Sequence, residues 1–209
     1  MRKRHRKTAP GSQADRAARL LAERGMVRRR EFLCSGVAPE TLARLVRKGR
    51  VCRVARGLYQ KATIQPVAER TLAEVSKLVP RGVICLVSAL QFHGLTSEVP
   101  AQTWIAIPSS DWKPTVAYPP VNALFFGPKS YSAGIETHRI ERVPVRIYGV
   151  AKTIVDCFRY RNKVGIDLAL DALRRALAES RCSSDDILAL AEKLRAARVV
   201  VPYLEAAAR

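Results

Sequence analysis

The side chains with chemistry to offer in this chain are mostly cationic, and they are unevenly placed. Residues 1–62 hold 18 Lys and Arg against 4 Asp and Glu, out of 37 and 18 in all 209 residues. Guanidinium and ammonium groups bind phosphate through charge and, for arginine, through a planar fork of donors. A diffuse excess would give only solubility and a general affinity for polyanions. An excess packed into one small amphipathic unit marks the surface that meets phosphates. The cations concerned are Arg28, Arg29 and Arg30, then Arg44, Arg47, Lys48 and Arg50, then Arg53 and Arg56.

The elements that must position them follow from periodicity. Ala14, Ala17, Leu20 and Leu21 recur at helical spacing, so residues 14–24 form a helix that Gly25 ends. A short helix over about residues 28–34 buries Phe32 and Leu33, and Gly36 supplies the positive φ of the turn after it. Pro39 opens a third helix over 39–48, with Leu42, Leu45 and Val46 inward and Thr41, Arg44, Arg47 and Lys48 outward. The period then changes to two. Residues 51–54 and 58–61 read as strands joined by Ala55-Arg56-Gly57. Three helices and a basic hairpin make a winged helix-turn-helix over residues 14–64.

In that architecture one helix enters a DNA major groove, about 12 Å wide, and the hairpin touches the flanking backbone. Thr41 and Arg44 are the candidates for base edges, with Arg47 and Lys48 beside them on the same face. Arg28, Arg29, Arg30, Arg50, Arg53 and Arg56 are the candidates for phosphates. The same pattern also suits a solvated charged face or a small protein-binding module. The preceding segment, residues 1–13, carries five Lys and Arg and little to bury, which predicts a disordered basic arm. It serves either as a phosphate or minor-groove contact or as a solvated tail.

Residues 65–209 read as a mixed α+β domain. Helices are expected over 66–78, from Ser88 to His93, and over 151–160, 166–178 and 185–197, the last capped by Ser183 or Ser184. Strands are expected over 104–107, 122–126, 135–140 and 143–148. The aromatics Trp104, Trp112, Tyr118, Phe125, Phe126 and Tyr131 cluster in the middle of the chain and, interleaved with prolines, predict a long ordered loop crossing the sheet edge, which serves either as core and loop scaffold or as a partner surface.

Catalytic patterns are weak. Gly11-Ser12 lies in the arm and no Asp-x-Asp follows, so the magnesium-binding pattern of a nucleotidyltransferase is missing. No Glu-x-Lys occurs in the C-terminal half, which argues against a metal-dependent nuclease core. Asp156, with Lys152 and Thr153 a turn away, reads as a helix-start residue that caps and pairs. His93, among Leu90, Phe92 and Leu95, reads as a core or cap histidine; a partner contact is the alternative. Five scattered cysteines and three scattered histidines give no CxxC pair and no clustered zinc ligands. No cofactor, metal or catalytic residue is expected. The apolar runs are too short for a membrane span, and the basic start lacks the apolar stretch of a secretory signal, so a cytoplasmic protein with reduced thiols is expected.

Several stretches resemble a known family. Glu31-Phe-Leu-Cys-Ser-Gly-Val-Ala-Pro39, Leu42-Ala-Arg-Leu-Val-Arg-Lys-Gly49 and Val54-Ala-Arg-Gly-Leu-Tyr59 resemble the N-terminal domain of AbiEi-type antitoxins of bacterial type IV toxin–antitoxin systems. Val87-Ser-Ala-Leu-Gln-Phe-His-Gly-Leu95, Gln102-Thr-Trp-Ile-Ala-Ile-Pro108 and Val150-Ala-Lys-Thr-Ile-Val-Asp-Cys157 resemble the family's C-terminal half. The resemblance implies a winged helix that represses its own operon at an inverted-repeat operator in double-stranded DNA. It also implies a C-terminal domain that counteracts a co-encoded nucleotidyltransferase toxin without requiring a stable complex. The basic arm is outside that pattern. A stand-alone regulator of the same fold and a nucleic-acid-modifying enzyme are the alternatives.

Overall fold

The structure, a computed structural model, describes residues 11–62 and 69–207. The first ten residues of the expected basic arm and the first residues of the helix expected from position 66 lie outside the described residues. The chain divides into two compact units, Met1–Pro66 with Glu141–Val143, and Val67–Ile140 with Pro144–Arg209.

In the first unit the order is α1 (Gln13–Arg24), β1 (Met26–Arg28), α2 (Arg29–Cys34), α3 (Pro39–Arg47), β2 (Val51–Ala55) and β3 (Leu58–Lys61). Ser12 caps α1. Its hydroxyl accepts the Asp15 N–H at 3.2 Å, and the Asp15 carboxylate accepts the Ser12 N–H at 3.0 Å. Residues Ser12 and Gln13, expected in the arm, therefore belong to the helix. Gly25, at φ 67°, ends it and returns its N–H to Leu21.

The three strands pair antiparallel in the order β1-β3-β2. Strand β1 was not expected. Met26 and Val27 are fully buried, and Arg28 ends this strand rather than starting a helix. Ala17, Leu21, Val27, Phe32, Val37, Leu42, Leu45 and Val51 form the core. This order of helices and strands, closed by the β2–β3 hairpin, is a winged helix-turn-helix.

The second unit runs α4 (Arg70–Leu78), β4 (Val83–Ile84), α5 (Leu86–Phe92), β5 (Thr103–Pro108), β6 (Val121–Phe126), α6 (Pro128–Ser132), β7 (Ile135–Ile140), β8 (Val143–Tyr148), α7 (Val150–Arg159), α8 (Arg161–Val164), α9 (Ile166–Ala178), α10 (Ser184–Lys193) and α11 (Ala197–Ala207). Its sheet has the order β6-β5-β4-β8-β7. Strand β4 pairs antiparallel with β5 and parallel with β8, and β5 pairs parallel with β6, so the sheet is mixed. Helix α7 is buried from Lys152 to Phe158 and packs against α5, α9, α10 and α11. Together with the winged helix this makes the chain an α+β protein.

Ser183 caps α10, its hydroxyl accepting the Asp186 N–H at 3.0 Å. Ser88 does not cap a helix. It is buried inside α5 and its hydroxyl accepts the Trp104 N–H at 3.0 Å, tying α5 to the sheet. The expected aromatic cluster separates. Phe126 is buried and stacks on Tyr148 and Tyr160 at 5.9 and 5.4 Å, whereas Trp112, Tyr118 and Phe125 are exposed.

Candidate nucleic-acid interface

Helix α3 is set in place by polar groups of α1. Gln13 Oε1 accepts the Ala38 N–H at 2.9 Å and the Thr41 hydroxyl at 2.8 Å. Arg16 donates to the Gly36 carbonyl at 3.0 Å, holding the turn between α2 and α3. Pro39 lies in the first turn, where its missing N–H costs nothing. The far end is closed by the Arg50 N–H donating to the Leu45 carbonyl at 3.0 Å.

Leu42 and Leu45 face the core, and Arg44, Arg47 and Lys48 are exposed. Thr41 is a correction to the expected outer face. It is buried and bonded to Gln13, because it lies one turn before Leu45 and borders the apolar stripe. The outward face instead carries Glu40, Ala43, Arg44 and Arg47, at i, i+3, i+4 and i+7. Among the described residues, Arg44, Arg47 and Lys48 make no ion pair, so their charge is directed at solvent.

The wing is built on a β-bulge between Arg53 and Ala55, and Gly57 turns it at φ 75°. The Arg29 N–H donates to the Gly57 carbonyl at 2.8 Å, so the wing tip rests on the first turn of α2. That bond brings the exposed Arg29 and Arg30 together with the exposed Arg56. The Arg53 guanidinium bonds back to the Ala55 carbonyl at 3.3 Å, along its own strand. Arg28 is half-buried, and its N–H donates to Glu31 at 2.7 Å. Burial first, then repulsion from Arg30, lowers its pKa, and Glu31 opposes both. Arg50 is exposed beyond the end of α3.

The second unit buries charged groups in helix α7. Lys152 and Asp156 are wholly buried and paired, and Asp156 also accepts from Arg159 at 3.0 Å. The Lys152 ammonium lies over the Tyr148 and Phe126 rings, 4.1 and 4.9 Å from their centroids. Burial lowers the Lys152 pKa and raises that of Asp156, and each charge offsets the other's penalty. Asp156 thus pairs, as expected, but from the middle of α7 rather than as a cap. Burial first, with the Asp156 charge adding to it, pushes the Cys85 and Cys157 thiols up, so neither is a ready nucleophile.

His93 is buried, and its Nε2 donates to the Tyr148 carbonyl at 2.8 Å, which is the core reading of that residue. Among the described residues, no three His, Cys, Asp or Glu side chains gather into a metal-binding group. No helix of the described residues is long and apolar enough to cross a membrane.

The first unit is a winged helix with an exposed cationic face, and the comparisons with known proteins bear on that stretch and on the fold. Residues 15–60 match the family described as transcriptional regulator, AbiEi antitoxin. The match lies within α1 to β3, and the three C-terminal stretches that resemble that family in sequence fall outside it. A crystal structure of the RV2827C protein from Mycobacterium tuberculosis has a similar fold, with a TM-score of 0.58 over 88% of this chain and 72% of that one. At 15% identity that likeness concerns the fold alone. No curated protein matches the chain.

Proposed function

We propose that this chain is a DNA-binding regulator that represses its own operon through the winged helix. The carrying observation is the exposed cationic face of α3, whose Arg44, Arg47 and Lys48 make no ion pair among the described residues and which Gln13 and Arg16 of α1 hold in place. Arg44 contacts base edges, with Arg47 and Lys48 beside it, while Arg29, Arg30, Arg50 and Arg56 contact phosphates. Arg28 and Arg53 contribute field more than contact, since one is half-buried and the other folds back on its strand. Thr41 positions α3 through Gln13 instead of touching DNA. The operator is an inverted repeat in double-stranded DNA, bound by two copies. The protein works in the cytoplasm, without a cofactor and without catalysis.

The match to an AbiEi antitoxin family supports a second role, in which residues 65–209 counteract a nucleotidyltransferase toxin encoded nearby, with no stable complex required. Co-expression of the full chain with the neighbouring gene tests that role. Restored growth supports it, and undiminished toxicity leaves a stand-alone regulator. The DNA role is tested by mobility shift of the full chain on its own upstream DNA. Arg44→Ala with Arg47→Ala is expected to weaken binding at least tenfold, taking about 1 kcal/mol or more per contact. Unchanged affinity in a folded variant would reject the assignment.

A further inference from the structure

The exposed face of α3 contains one carboxylate, which the cationic reading does not use. Of the four acidic residues in the first 62, Asp15 is committed to the cap of α1. Glu31 pairs with Arg24 at 2.8 Å and accepts from the Arg28 N–H. Glu23 lies on α1. Glu40 stands exposed in the first turn of α3, its carboxylate making no hydrogen bond or ion pair to any described residue.

A carboxylate on that face is repelled by phosphates, and a first-turn acid gains only a little from the helix dipole. Its placement becomes favourable where it can accept a hydrogen bond from a base. In the major groove the exocyclic amino group of cytosine is the donor that suits a carboxylate. The position is also well defined. Gln13 pins Ala38 and Thr41 on either side of it, and Ala43 one turn on is small enough to let the helix approach closely.

Resting on the DNA-binding reading above, we infer that Glu40 is a specificity-determining residue. Its carboxylate accepts the N4 amino hydrogen of a cytosine in the major groove, beside the contacts of Arg44. Glu40 thereby adds selectivity at one base pair while slightly weakening binding to all DNA.

The test is selection of duplexes from a randomised pool by the full chain, followed by mobility shifts on the selected site and its single-base variants. The wild-type chain should select a C·G pair at one position in each half-site, with a preference of roughly 5- to 150-fold. Glu40→Ala should lose that preference alone while holding random-sequence duplex as tightly or more tightly. Glu40→Gln should move the preference towards adenine, which the glutamine amide reads. Retained wild-type preference in both variants, or a uniform loss across all sequences, would overturn the inference and leave the DNA-binding reading standing. A wild-type chain that selects no sequence would overturn both. Circular dichroism melting of each variant checks that this surface substitution leaves the fold unchanged.

Discussion

Replacing Gln13 by alanine removes one oxygen that serves two donors. That oxygen accepts the Ala38 N–H at 2.9 Å and the Thr41 hydroxyl at 2.8 Å, both in part-buried surroundings. A stranded buried donor costs about 1–3 kcal/mol. Water reaches part of this site and the hydroxyl can rotate, so the two losses together should come to about 2 kcal/mol. Domains of this kind are stable by only about 5–15 kcal/mol in total, so the effect is large enough to measure.

Urea unfolding followed by circular dichroism is the assay, with Thr41→Val as the partner substitution. Thr41→Val removes the hydroxyl while keeping the shape. The double variant should therefore cost less than the sum of the singles, with a coupling of about 0.5–1 kcal/mol. Because Gln13 fixes the start of α3, the single variant should also weaken selective DNA binding. A loss below about 0.5 kcal/mol with no coupling to Thr41→Val would refute the clamp.

Asp156→Ala should destabilise the second unit by about 3–5 kcal/mol in urea unfolding, because it leaves the wholly buried Lys152 unpaired. The double substitution Lys152→Met with Asp156→Leu should cost much less, since no charge is then buried. His93 supplies a pH dependence. Burial first lowers its pKa below the usual 6.5, against the opposing Tyr148 hydrogen bond. The folded value lies below the unfolded one, so this contribution is complete above pH 6.5 and is lost as pH falls through the folded pKa. Urea midpoints between neutral and mildly acidic pH should fall for the wild type and fall less for His93→Phe.

The sequence marks helices with sustained amphipathic stripes clearly, and short or polar devices poorly. Ala17 and Leu21 of α1 and Leu42 and Leu45 of α3 recur at helical spacing and are buried where expected. Strands β1 and β4 span three and two residues, too few to display an alternating pattern. Gln13 reads as arm because it is polar and follows a basic run, yet its value lies in a bond to Ala38, 25 positions away. Thr41 shows the limit of a helical wheel. It borders the apolar stripe, and only the neighbouring α1 decides that it turns inward. The Gly57 turn and the basic residues of the hairpin were legible because a two-strand wing needs a positive φ there. The burial of Lys152 was not legible, since nothing local distinguishes it from a surface lysine on a helix.

The most direct test of the central claim is a salt-titrated mobility shift of the full chain on the DNA upstream of its own gene. Four phosphate contacts per copy, by Arg29, Arg30, Arg50 and Arg56, predict sequence-selective binding whose log–log dependence on salt has a slope of about −3.6 for each copy bound. Arg44→Ala with Arg47→Ala should abolish selectivity, whereas Arg29→Ala with Arg56→Ala should make that slope shallower. Binding that ignores sequence, or selectivity that survives Arg44→Ala with Arg47→Ala, would mean that α3 is not the surface that reads DNA.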